Sequence, residues 1–566
     1  MPGDYSGDGT LDIAFWRPSN STWLIHQPGQ AEPRVINWGL PGEVPVSADY
    51  GMKGAMNEMD GGGRGARHAK YVRLFPDLDG LHVDSATLAE LGADGGVMED
   101  KRIGEDGRPH PDGDNDRIPA GYTYFGQFID HDITFDPTSS LEGTNDPDQI
   151  QNFRTPRLEL DSVYGMGPSD QPYLYNKEVV INGEERVRPQ KLIFGSAGNE
   201  AGDLNRNDDG IAIIGDMRND ENLAVAQLQL SFIKFHNAVV DIVKAERRVA
   251  DSAVFGEAQR IVRWHYQWMV VNDYLVRMCG RANVDRVLNE GRRFYLTDQR
   301  TVTDPDMPIE FSVAAYRFGH SQVRPQYNWN SNFPFATMFQ LFFFTKNPVP
   351  KSWDVQYEQL LDVNGLGDEH VPNKTRKIDT RLAGELLNLG FLPAPTSLAE
   401  RNLKRGVAYQ LPSGQDVARE MGISVVRPSE MPADVREKLT SLGLAEATPL
   451  WYYILLESEV RENGERLGDV GAQIVADVMI GLIQLDPDSY LNSMERNASG
   501  EIIPWTPHLD SIVPGQFTLA DMVNIAGWDR RDNPSSPFED RRSSNANGND
   551  FVPPPGPIDG TGTRPN

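Results

Sequence analysis

Apolar residues recur at helical spacing through most of the chain. In one stretch, Phe125, Phe128 and Ile129 stand at positions i, i+3 and i+4, so they share one face of a helix. Three longer stretches repeat the pattern: residues 223–243, 252–276 and 471–483. Strand-like alternation is short and sparse in this part of the chain. The pattern therefore predicts a mainly α-helical domain.

The first fifty residues follow a different pattern, in which apolar and polar positions alternate. This alternation predicts strands at residues 13–16, 22–25 and 35–38. Before them, oxygen-bearing residues stand at alternate positions of an acidic loop: Asp4, Ser6, Asp8, Thr10 and Asp12. Their side-chain oxygens and the carbonyl of Thr10 are ligands that a hard cation such as Ca2+ takes. An ordinary Asp-rich turn before a hairpin is the alternative interpretation.

Composition divides the chain into four parts. Residues 1–51 form the small β segment, and the Gly-rich residues 52–68 form a flexible linker. Residues 69–531 have a globular composition, and residues 532–566 form a Pro-, Ser- and Gly-rich tail that we expect to be disordered or draped on the surface. With 566 residues, the chain is long enough for one large domain and a small one.

The overall charge limits the partners. The 54 Lys and Arg against 82 Asp and Glu give a net charge of −28, which argues against nucleic acid and anionic membranes. Cys279 is the only cysteine, so an internal disulfide and a cysteine-bound cluster are excluded. No apolar run is long enough to span a bilayer, and no charged-then-apolar leader follows Met1.

The first candidate for chemistry is the acidic and basic triplet Asp130, His131 and Asp132. Successive side chains diverge by about 100° around a helix, so the two carboxylates point in nearly opposite directions. One can meet a ligand in front of the histidine while the other anchors it from behind. A turn of a charged surface helix is the alternative interpretation.

Three later motifs accompany this triplet. In the first, oxygen groups alternate along a loop that suits a cation: Thr155, the carbonyl of Arg157, Glu159 and Asp161. In the second, Arg218 and Glu221 are three residues apart, on one face if helical. In the third, His320 follows a glycine, where a flat ligand can approach the backbone closely.

These four motifs, in this order, resemble those of the animal-type haem peroxidases of the peroxidase–cyclooxygenase superfamily, in a bacterial-like branch. The segment 517–527 is similar to the end of that family's catalytic domain. Separately, the N-terminal fifty residues resemble a single FG-GAP repeat of integrin-like propellers. The first resemblance implies a helical peroxidase domain that binds haem b, reduces H2O2 and oxidises a small donor such as halide, thiocyanate or a phenol.

The resemblance assigns roles on the peroxide side of the haem. His131 is implied as the base that takes a proton from H2O2 and returns it to the departing oxygen. Arg218 is implied as a fixed positive charge beside the peroxide. Gln127 is implied as the glutamine that orders water or halide near the iron. Asp130 and Glu221 match the carboxylates that form ester bonds to haem in many relatives, whereas Asn222 rules out the sulfonium link, which needs a methionine.

On the opposite side, His320 is implied as the iron ligand. Arg317 is implied as the partner of a haem propionate. A side chain that accepts the other N–H of His320 should orient the ring. Alignment places Gln415 there, where the family usually has Asn, and Asn402 is the rival candidate.

The same resemblance implies a calcium site. Its ligands are Asp132, Thr155, Arg157, Glu159 and Asp161. Glu159 stands where an aspartate is usual and Asp161 where a serine is common, so we expect altered geometry. An acidic turn without a cation is the alternative.

Two other functions remain open at this point. A fatty-acid dioxygenase of the same superfamily needs a tyrosine where this chain has Arg317, although Tyr316 is adjacent. A calcium-dependent adhesion protein with a vestigial haem domain is the second alternative, motivated by the N-terminal repeat. Because free calcium is scarce inside cells, the predicted calcium loop suggests an extracellular or cell-surface location.

Overall fold

The computed structural model describes residues 70–135, 152, 154–176, 190–246, 249–296, 305–363, 371–497 and 499–528, and the backbone of six further strands. The chain divides into two compact units, Met1–His68 and Ala69–Asn566. Within the described residues, no helix combines the length and the apolar character needed to cross a bilayer.

The N-terminal unit contains a four-stranded antiparallel sheet. Its strands follow one another in chain order: Pro2–Gly3, Asp12–Arg17, Thr22–His26 and Arg34–Asn37. In the register of the central pair, Trp16 lies opposite Trp23. The loop residues Asp4, Ser6, Asp8 and Thr10 and the side chain of Asp12 lie outside the described residues. The calcium loop and the propeller-repeat interpretation therefore stay predictions, as do the linker and the tail.

The second unit is mostly helical, as the apolar spacing predicts. Its described α-helices are Ser85–Leu91, Gly121–Ile133, Asp161–Tyr164, Leu223–Ala245, Val254–Met269, Leu275–Cys279, Arg281–Glu290, Met338–Phe342, Leu398–Ala408, Gly414–Glu420, Ala433–Ser441, Leu450–Glu462, Asp469–Leu485 and Leu519–Ile525. Its described strands form two-stranded pairs: Tyr71–Val72 with Met307–Pro308, Asp114–Pro119 with Lys374–Arg376, Val179–Ile181 with Glu185–Val187, Gln326–Tyr327 with Ala336–Thr337, and Met494–Arg496 with Ile502–Pro504.

The helix Leu223–Ala245 lies at the centre of the core. Asn222 caps its start, because the Asn222 side chain accepts a hydrogen bond of 3.0 Å from the N–H of Val225. Apolar and polar side chains are buried along it from Leu223 to His236. A helix that is buried nearly all round must be surrounded by other elements. The stacked rings of Phe128 and Phe232, 4.5 Å apart, join it to the helix Gly121–Ile133.

The stretch 252–276 is predicted as one continuous helix, but the structure divides it. An α-helix runs over Val254–Met269, a π-helical turn over Val270–Tyr274 and a second α-helix over Leu275–Cys279. The turn brings Tyr274 against the helix Gly121–Ile133 at Gly126. A Cβ at Gly126 would lie 2.5 Å from the Tyr274 hydroxyl oxygen, so only glycine allows this contact without displacement.

The predicted ligand His320 lies in an irregular helical segment. A π-helical turn over Glu310–Ala314 is followed by a 3₁₀ helix over Ala315–Gln322. The indole N–H of Trp451 donates to the carbonyl of Arg317 at 3.1 Å and so fixes this segment to the helix Leu450–Glu462. Such irregular helical turns are frequent at functional sites because they change the direction in which side chains project.

Candidate active site

A cavity of about 850 Å3 lies between the helix that carries His131 and the segment that carries His320. Both histidines line it. So do four other residues that the sequence analysis identifies: Gln127, Asp130, Glu221 and Arg317. The rest of the wall is largely aromatic and aliphatic and includes Tyr124, Tyr274, Tyr316, Phe342, Leu389 and Leu392. A concave, mostly apolar cavity with a few converging polar groups has the character of a cofactor or substrate site.

The ring of His131 is held by a residue that the sequence analysis does not identify. His131 Nδ1 lies 2.7 Å from the side-chain oxygen Oδ1 of Asn219, and both residues are buried. Because a carbonyl oxygen can only accept, Nδ1 carries a proton and donates it. The other ring nitrogen, Nε2, lies 3.5 Å from Glu221 Oε1 on the cavity wall. His131 therefore directs Nε2 to the cavity side.

Glu221, Gln127 and Asn222 form a polar patch on the same wall. Gln127 Nε2 donates to Glu221 Oε1, and Asn222 Nδ2 donates to Gln127 Oε1 at 3.2 Å. The hydroxyl of Thr345 donates to the backbone carbonyl of Glu221 at 2.5 Å. All four side chains lie within reach of a ligand in the cavity. The structure thus brings Gln127 and Glu221 together on one wall of the cavity.

Arg218 does not occupy its predicted place. It is absent from the cavity wall, and its guanidinium donates to Asp216, with Nη2 to Oδ2 at 2.8 Å. The same Nη2 donates to the carbonyl of His131 at 2.8 Å, and the guanidinium carbon lies 4.7 Å from the centre of the Phe135 ring. Although burial by itself raises the pKa of Asp216, the positive charges of Arg218 and Arg154 hold that pKa well below its usual range. The ion pair with Asp216 therefore holds Arg218 away from the cavity. The spacing of Arg218 and Glu221 in the sequence did not reveal this partner.

On the other side of the cavity, the structure corrects the predicted partner of His320. Asn402 Nδ2 lies 2.7 Å from His320 Nδ1. Gln415 instead donates to the hydroxyl of Thr448 at 2.9 Å and accepts from the N–H of Thr448 at 2.8 Å. The alignment therefore chose the wrong amide, and its rival Asn402 makes the contact. Gln415 is thus hydrogen-bonded to the segment just before the helix Leu450–Glu462.

The electrostatics keep His320 neutral. Burial and the nearby charge of Arg317 lower the pKa of His320 to about 3. A neutral imidazole has a lone pair for a metal ion. A 180° rotation of the Asn402 amide places its oxygen at Nδ1, so that Nδ1 donates and Nε2 is left as the ligand atom. The chemistry of this residue fits a haem iron.

Arg317 has the character of an anion-binding residue. It lines the cavity, and its Nε donates to the carbonyl of Ser312 at 3.0 Å. Burial and the like charge of Arg405 lower its pKa, which shows that neighbouring carboxylates do not offset the cost of burying the charge. In the part of the chain that the structure describes, no carboxylate forms an ion pair with Arg317. The carboxylate of a haem propionate would supply the missing negative charge.

Two of the predicted calcium ligands, Glu159 and Asp161, lie close enough to Asp132 for their charges to interact with it. Its Oδ1 accepts from the Ser162 hydroxyl at 3.2 Å, and its Oδ2 accepts from the N–H of Leu160 at 3.1 Å. Burial and Asp161 raise the pKa of Asp132 well above its usual range, and the same two causes raise the pKa of Glu159 to about 7. Buried carboxylates that repel one another are stabilised by a cation.

Other features of this acidic cluster fit a cation only in part. Asp161 Oδ1 is buried without a hydrogen-bond partner, whereas Oδ2 lies 3.4 Å from Arg154. Thr155 and Arg157 interact through their backbones, with the N–H of Arg157 donating to the carbonyl of Thr155 at 2.8 Å. Among the described residues, no three His, Cys, Asp or Glu side chains converge as metal ligands. The calcium site therefore stays a prediction.

A profile of the family described as "Animal haem peroxidase" matches residues 138–477. The chain is 24% identical to thyroid peroxidase of Homo sapiens over 326 residues, which cover 54% of this chain and 33% of that protein. It is 27% identical to chorion peroxidase of Drosophila melanogaster over 279 residues, which cover 46% of this chain and 32% of that protein. The chain thus spans about a third of the length of these relatives.

Solved structures with a similar arrangement include two enzymes of different activity. Peroxidase A from Dictyostelium discoideum gives a TM-score of 0.49 at 16% identity, covering 75% of this chain and 88% of that one. A fatty acid alpha-dioxygenase from Arabidopsis thaliana also gives a TM-score of 0.49, at 14% identity, covering 74% of this chain and 71% of that one.

Proposed function

We propose that this chain, which belongs to the animal haem peroxidase family, reduces H2O2 and oxidises small donors such as halide, thiocyanate or phenolic compounds. The observation that carries the proposal is the single cavity of about 850 Å3 lined by both His131 and His320. The family match and a cavity lined by both histidines support the same chemistry.

Four residues that line the cavity are proposed to hold haem b: His320, Arg317, Asp130 and Glu221. His320 is the iron ligand, with Asn402 orienting its ring. Arg317 binds a propionate, and the aromatic and aliphatic wall packs against the macrocycle. Asp130 and Glu221, which both line the cavity, are proposed to form ester bonds to haem methyl groups. When bound, haem supplies the redox-active iron at which peroxide is reduced.

The proton transfers are assigned to His131. Its Nε2 lies on the cavity side, where it can take a proton from H2O2 and give it to the departing oxygen. Gln127 donates to Glu221 and helps to order the small molecules beside them. Arg218 supports the base from behind through its hydrogen bond to the His131 carbonyl, rather than by contact with the peroxide.

The remaining parts of the proposal rest on the sequence. We infer calcium binding at the cluster around Asp132 and at the loop Asp4–Asp12, and an extracellular or cell-surface location because free calcium is abundant there. The division into residues 1–51, 52–68, 69–531 and 532–566, the FG-GAP-like repeat and the bacterial-like branch are part of the same proposal. An adhesion role for the N-terminal repeat would be additional to the haem chemistry.

An absorption experiment tests the peroxidase function. The purified protein, loaded with haem, should show a rapid change of the haem spectrum on mixing with H2O2, and then oxidise members of a panel of halides, thiocyanate and phenols. His131→Ala should slow the reaction with H2O2 by on the order of 10² to 10⁴-fold, since the general base is lost. The exposed His82→Ala is the control and should react like the wild type. A wild-type protein that binds haem but does not respond to H2O2 would exclude a peroxidase.

Fatty-acid dioxygenation is the second candidate, because Tyr316 lines the cavity. Its hydroxyl is engaged, donating to the carbonyl of Gly126 at 3.2 Å, and its ring stacks on Phe311 at 4.9 Å. A tyrosine fixed in this way is held beside the cavity and not at the position of Arg317. The peroxidase function is therefore the better supported of the two.

A further inference from the structure

We propose that Asn219 and Gln229 are positioning residues that keep one proton of His131 on Nδ1, so that Nε2 is the atom that exchanges protons with the peroxide. Neither residue lines the cavity. Both are completely buried, each at 0% exposure; Asn219 contacts Nδ1 of His131, and Gln229 contacts Asn219. The inference rests on the peroxidase function proposed above, but it concerns two residues to which the family resemblance assigns no role.

The orientation begins at a backbone carbonyl. The helix Asp161–Tyr164 is a single turn, so the carbonyl of Ser162 lacks the usual helical partner four residues on. That partner would be the N–H of Met166, which donates to the side chain of Gln171 at 3.1 Å instead. The Ser162 carbonyl therefore accepts from Gln229 Nε2 at 3.2 Å. Since a carbonyl cannot donate, this contact fixes which end of the Gln229 amide faces Ser162.

The second amide follows from the first. With its nitrogen on Ser162, Gln229 presents Oε1 to Asn219, and Asn219 Nδ2 donates to it at 2.8 Å. Asn219 must then present Oδ1 to His131, 2.7 Å from Nδ1. Turning either amide over would bring two acceptors or two donors face to face in a buried site that has no room for exchange of partners. The direction of the whole chain of hydrogen bonds is thus set by the Ser162 carbonyl.

The hydrogen bonds from Ser162 through Gln229 and Asn219 to His131, here called the relay, also connect back to the helix that carries His131. The N–H and the hydroxyl of Ser162 donate to Asp132 Oδ1, at 3.4 and 3.2 Å, and Asp132 is the neighbour of His131. His131, Asn219, Gln229, Ser162 and Asp132 therefore form a closed circuit of contacts. A closed circuit resists rotation of the imidazole better than a single hydrogen bond, because several contacts must break together.

These hydrogen bonds determine which ring nitrogen of His131 keeps its proton in both charge states of the ring. Glu221 Oε1 lies 3.5 Å from Nε2, and Arg218, paired with Asp216, donates to the backbone carbonyl of His131. None of them changes the partner of Nδ1. In the neutral and in the protonated ring alike, Nδ1–H donates to Asn219, so the lone pair of the neutral ring is on the cavity side.

Two substitutions of Gln229 separate orientation from mere packing. Gln229→Met keeps the length of the side chain but removes the acceptor for Asn219, so the Asn219 amide is free to turn its nitrogen to His131. Gln229→Glu keeps an oxygen that accepts from Asn219, and in the protonated acid the other oxygen can donate to the Ser162 carbonyl, so this form should preserve the orientation. Gln190→Met is a matched control, because Gln190 is also buried and also donates to a backbone carbonyl, that of Asp251, at 2.9 Å.

Neutron diffraction from deuterium-exchanged crystals of the haem-loaded protein gives the direct readout. We expect deuterium on Nδ1 of His131 and the Asn219 oxygen facing it in the wild type and in Gln229→Glu. In Gln229→Met we expect the Asn219 nitrogen to face Nδ1 and deuterium to lie on Nε2. A wild-type map with deuterium on Nε2 alone, or with the Asn219 nitrogen toward His131, would refute the relay, even if no variant folds.

The reaction with H2O2 gives the second readout. Gln229→Met should react on the order of 10²-fold more slowly than the wild type, because the general base has lost its lone pair on the cavity side. Its haem spectrum and haem affinity should be unchanged, and Gln229→Glu and Gln190→Met should react within about tenfold of the wild type. Equal rates for Gln229→Met and the wild type would overturn the proposal. A wild type that is inert to H2O2 would instead refute the peroxidase function, which the neutron map does not depend on.

Discussion

Asn402 and His320 stand 82 positions apart in the chain, yet the side-chain nitrogen Nδ2 of Asn402 lies 2.7 Å from Nδ1 of His320. Asn402 is buried in the helix Leu398–Ala408, whose start is capped by Ser397. A rigid helix holds the amide in place, so it can hold the imidazole plane in turn. A metal-bound histidine depends on such a partner for its orientation and its donor strength.

Replacing this amide should weaken the haem site. Asn402→Leu should lower haem affinity by about 10–100-fold, the usual effect of losing the partner of a metal-bound histidine. Asn402→Asp should retain haem and lower the reduction potential of the iron, because a carboxylate makes the imidazole a stronger donor. Haem titration and a potentiometric titration measure the two effects. Gln415→Leu is the control, since Gln415 bonds to Thr448; a larger effect there than at Asn402 would restore Gln415 as the partner.

Arg317 should contribute to haem binding through its charge. Arg317→Gln should reduce haem affinity by about 10–100-fold, because a hydrogen bond between charged partners contributes about 1.5–3 kcal/mol. The haem-free protein should become no less stable, since burial without a carboxylate partner already disfavours this charge. Haem titration and thermal unfolding of the haem-free protein measure both. Arg108→Gln, in which an exposed arginine over Phe335 is replaced, should bind haem normally, and equal losses in the two variants would contradict the role.

Calcium should stabilise the protein more at high pH than at low pH. Burial and Asp161 raise the pKa of Glu159 from 4.5 to about 7. The metal-free fold is therefore more stable when Glu159 is protonated. Its free energy of unfolding falls as the pH rises from about 4.5 through about 7. A bound cation reverses this penalty and adds about 2.7 kcal/mol when its concentration is a hundred times its Kd.

Thermal unfolding at pH 5 and pH 8, with calcium or with EDTA, measures this difference. The gain from calcium should be larger at pH 8. Glu159→Gln should reduce both the gain and its pH dependence, and the exposed Glu105→Gln should leave them unchanged. A melting temperature that does not respond to calcium at pH 8 would count against the site.

Tyr316→Phe distinguishes the peroxidase from the dioxygenase. The variant loses the hydrogen bond to the Gly126 carbonyl and the hydroxyl contact with Tyr274, so donor oxidation with H2O2 should remain within a few-fold of the wild type. Neither protein should consume oxygen with linoleate, as measured with an oxygen electrode. Oxygen uptake by the wild type that disappears in Tyr316→Phe would favour the dioxygenase.

Haem esterification can be followed by extraction. If Asp130 and Glu221 form ester bonds, acid–ketone treatment should leave haem on the polypeptide after the protein has turned over H2O2. Asp130→Asn and Glu221→Gln should each lose one bond, and the double variant should release its haem completely. Mass spectrometry of the haem peptides counts the bonds. Free release of haem from the wild type would mean that the two carboxylates only contact the ring.

Much of the fold was accessible from spacing alone. The helix Leu223–Ala245 matches the predicted stretch 223–243, because a long, largely apolar run without Gly or Pro indicates a buried helix. The break at Val270–Tyr274 was not accessible, since a π-helical turn inserts a residue without changing the apolar composition. The close contact of Gly126 with Tyr274 depends on that turn, so it could not be predicted from the sequence either.

The amino-acid sequence by itself determined which residue types could do the chemistry: the His131 and His320 motifs, the carboxylates beside them and the family they indicate. Only the tertiary structure decided the partners. In the fold, His320 contacts Asn402 and not Gln415, Arg218 pairs with Asp216, and Asn219 contacts Nδ1 of His131. Motifs follow from local spacing, whereas a hydrogen bond between distant residues depends on how whole helices pack, and a short polar side chain carries no periodic signal of the partner it will meet.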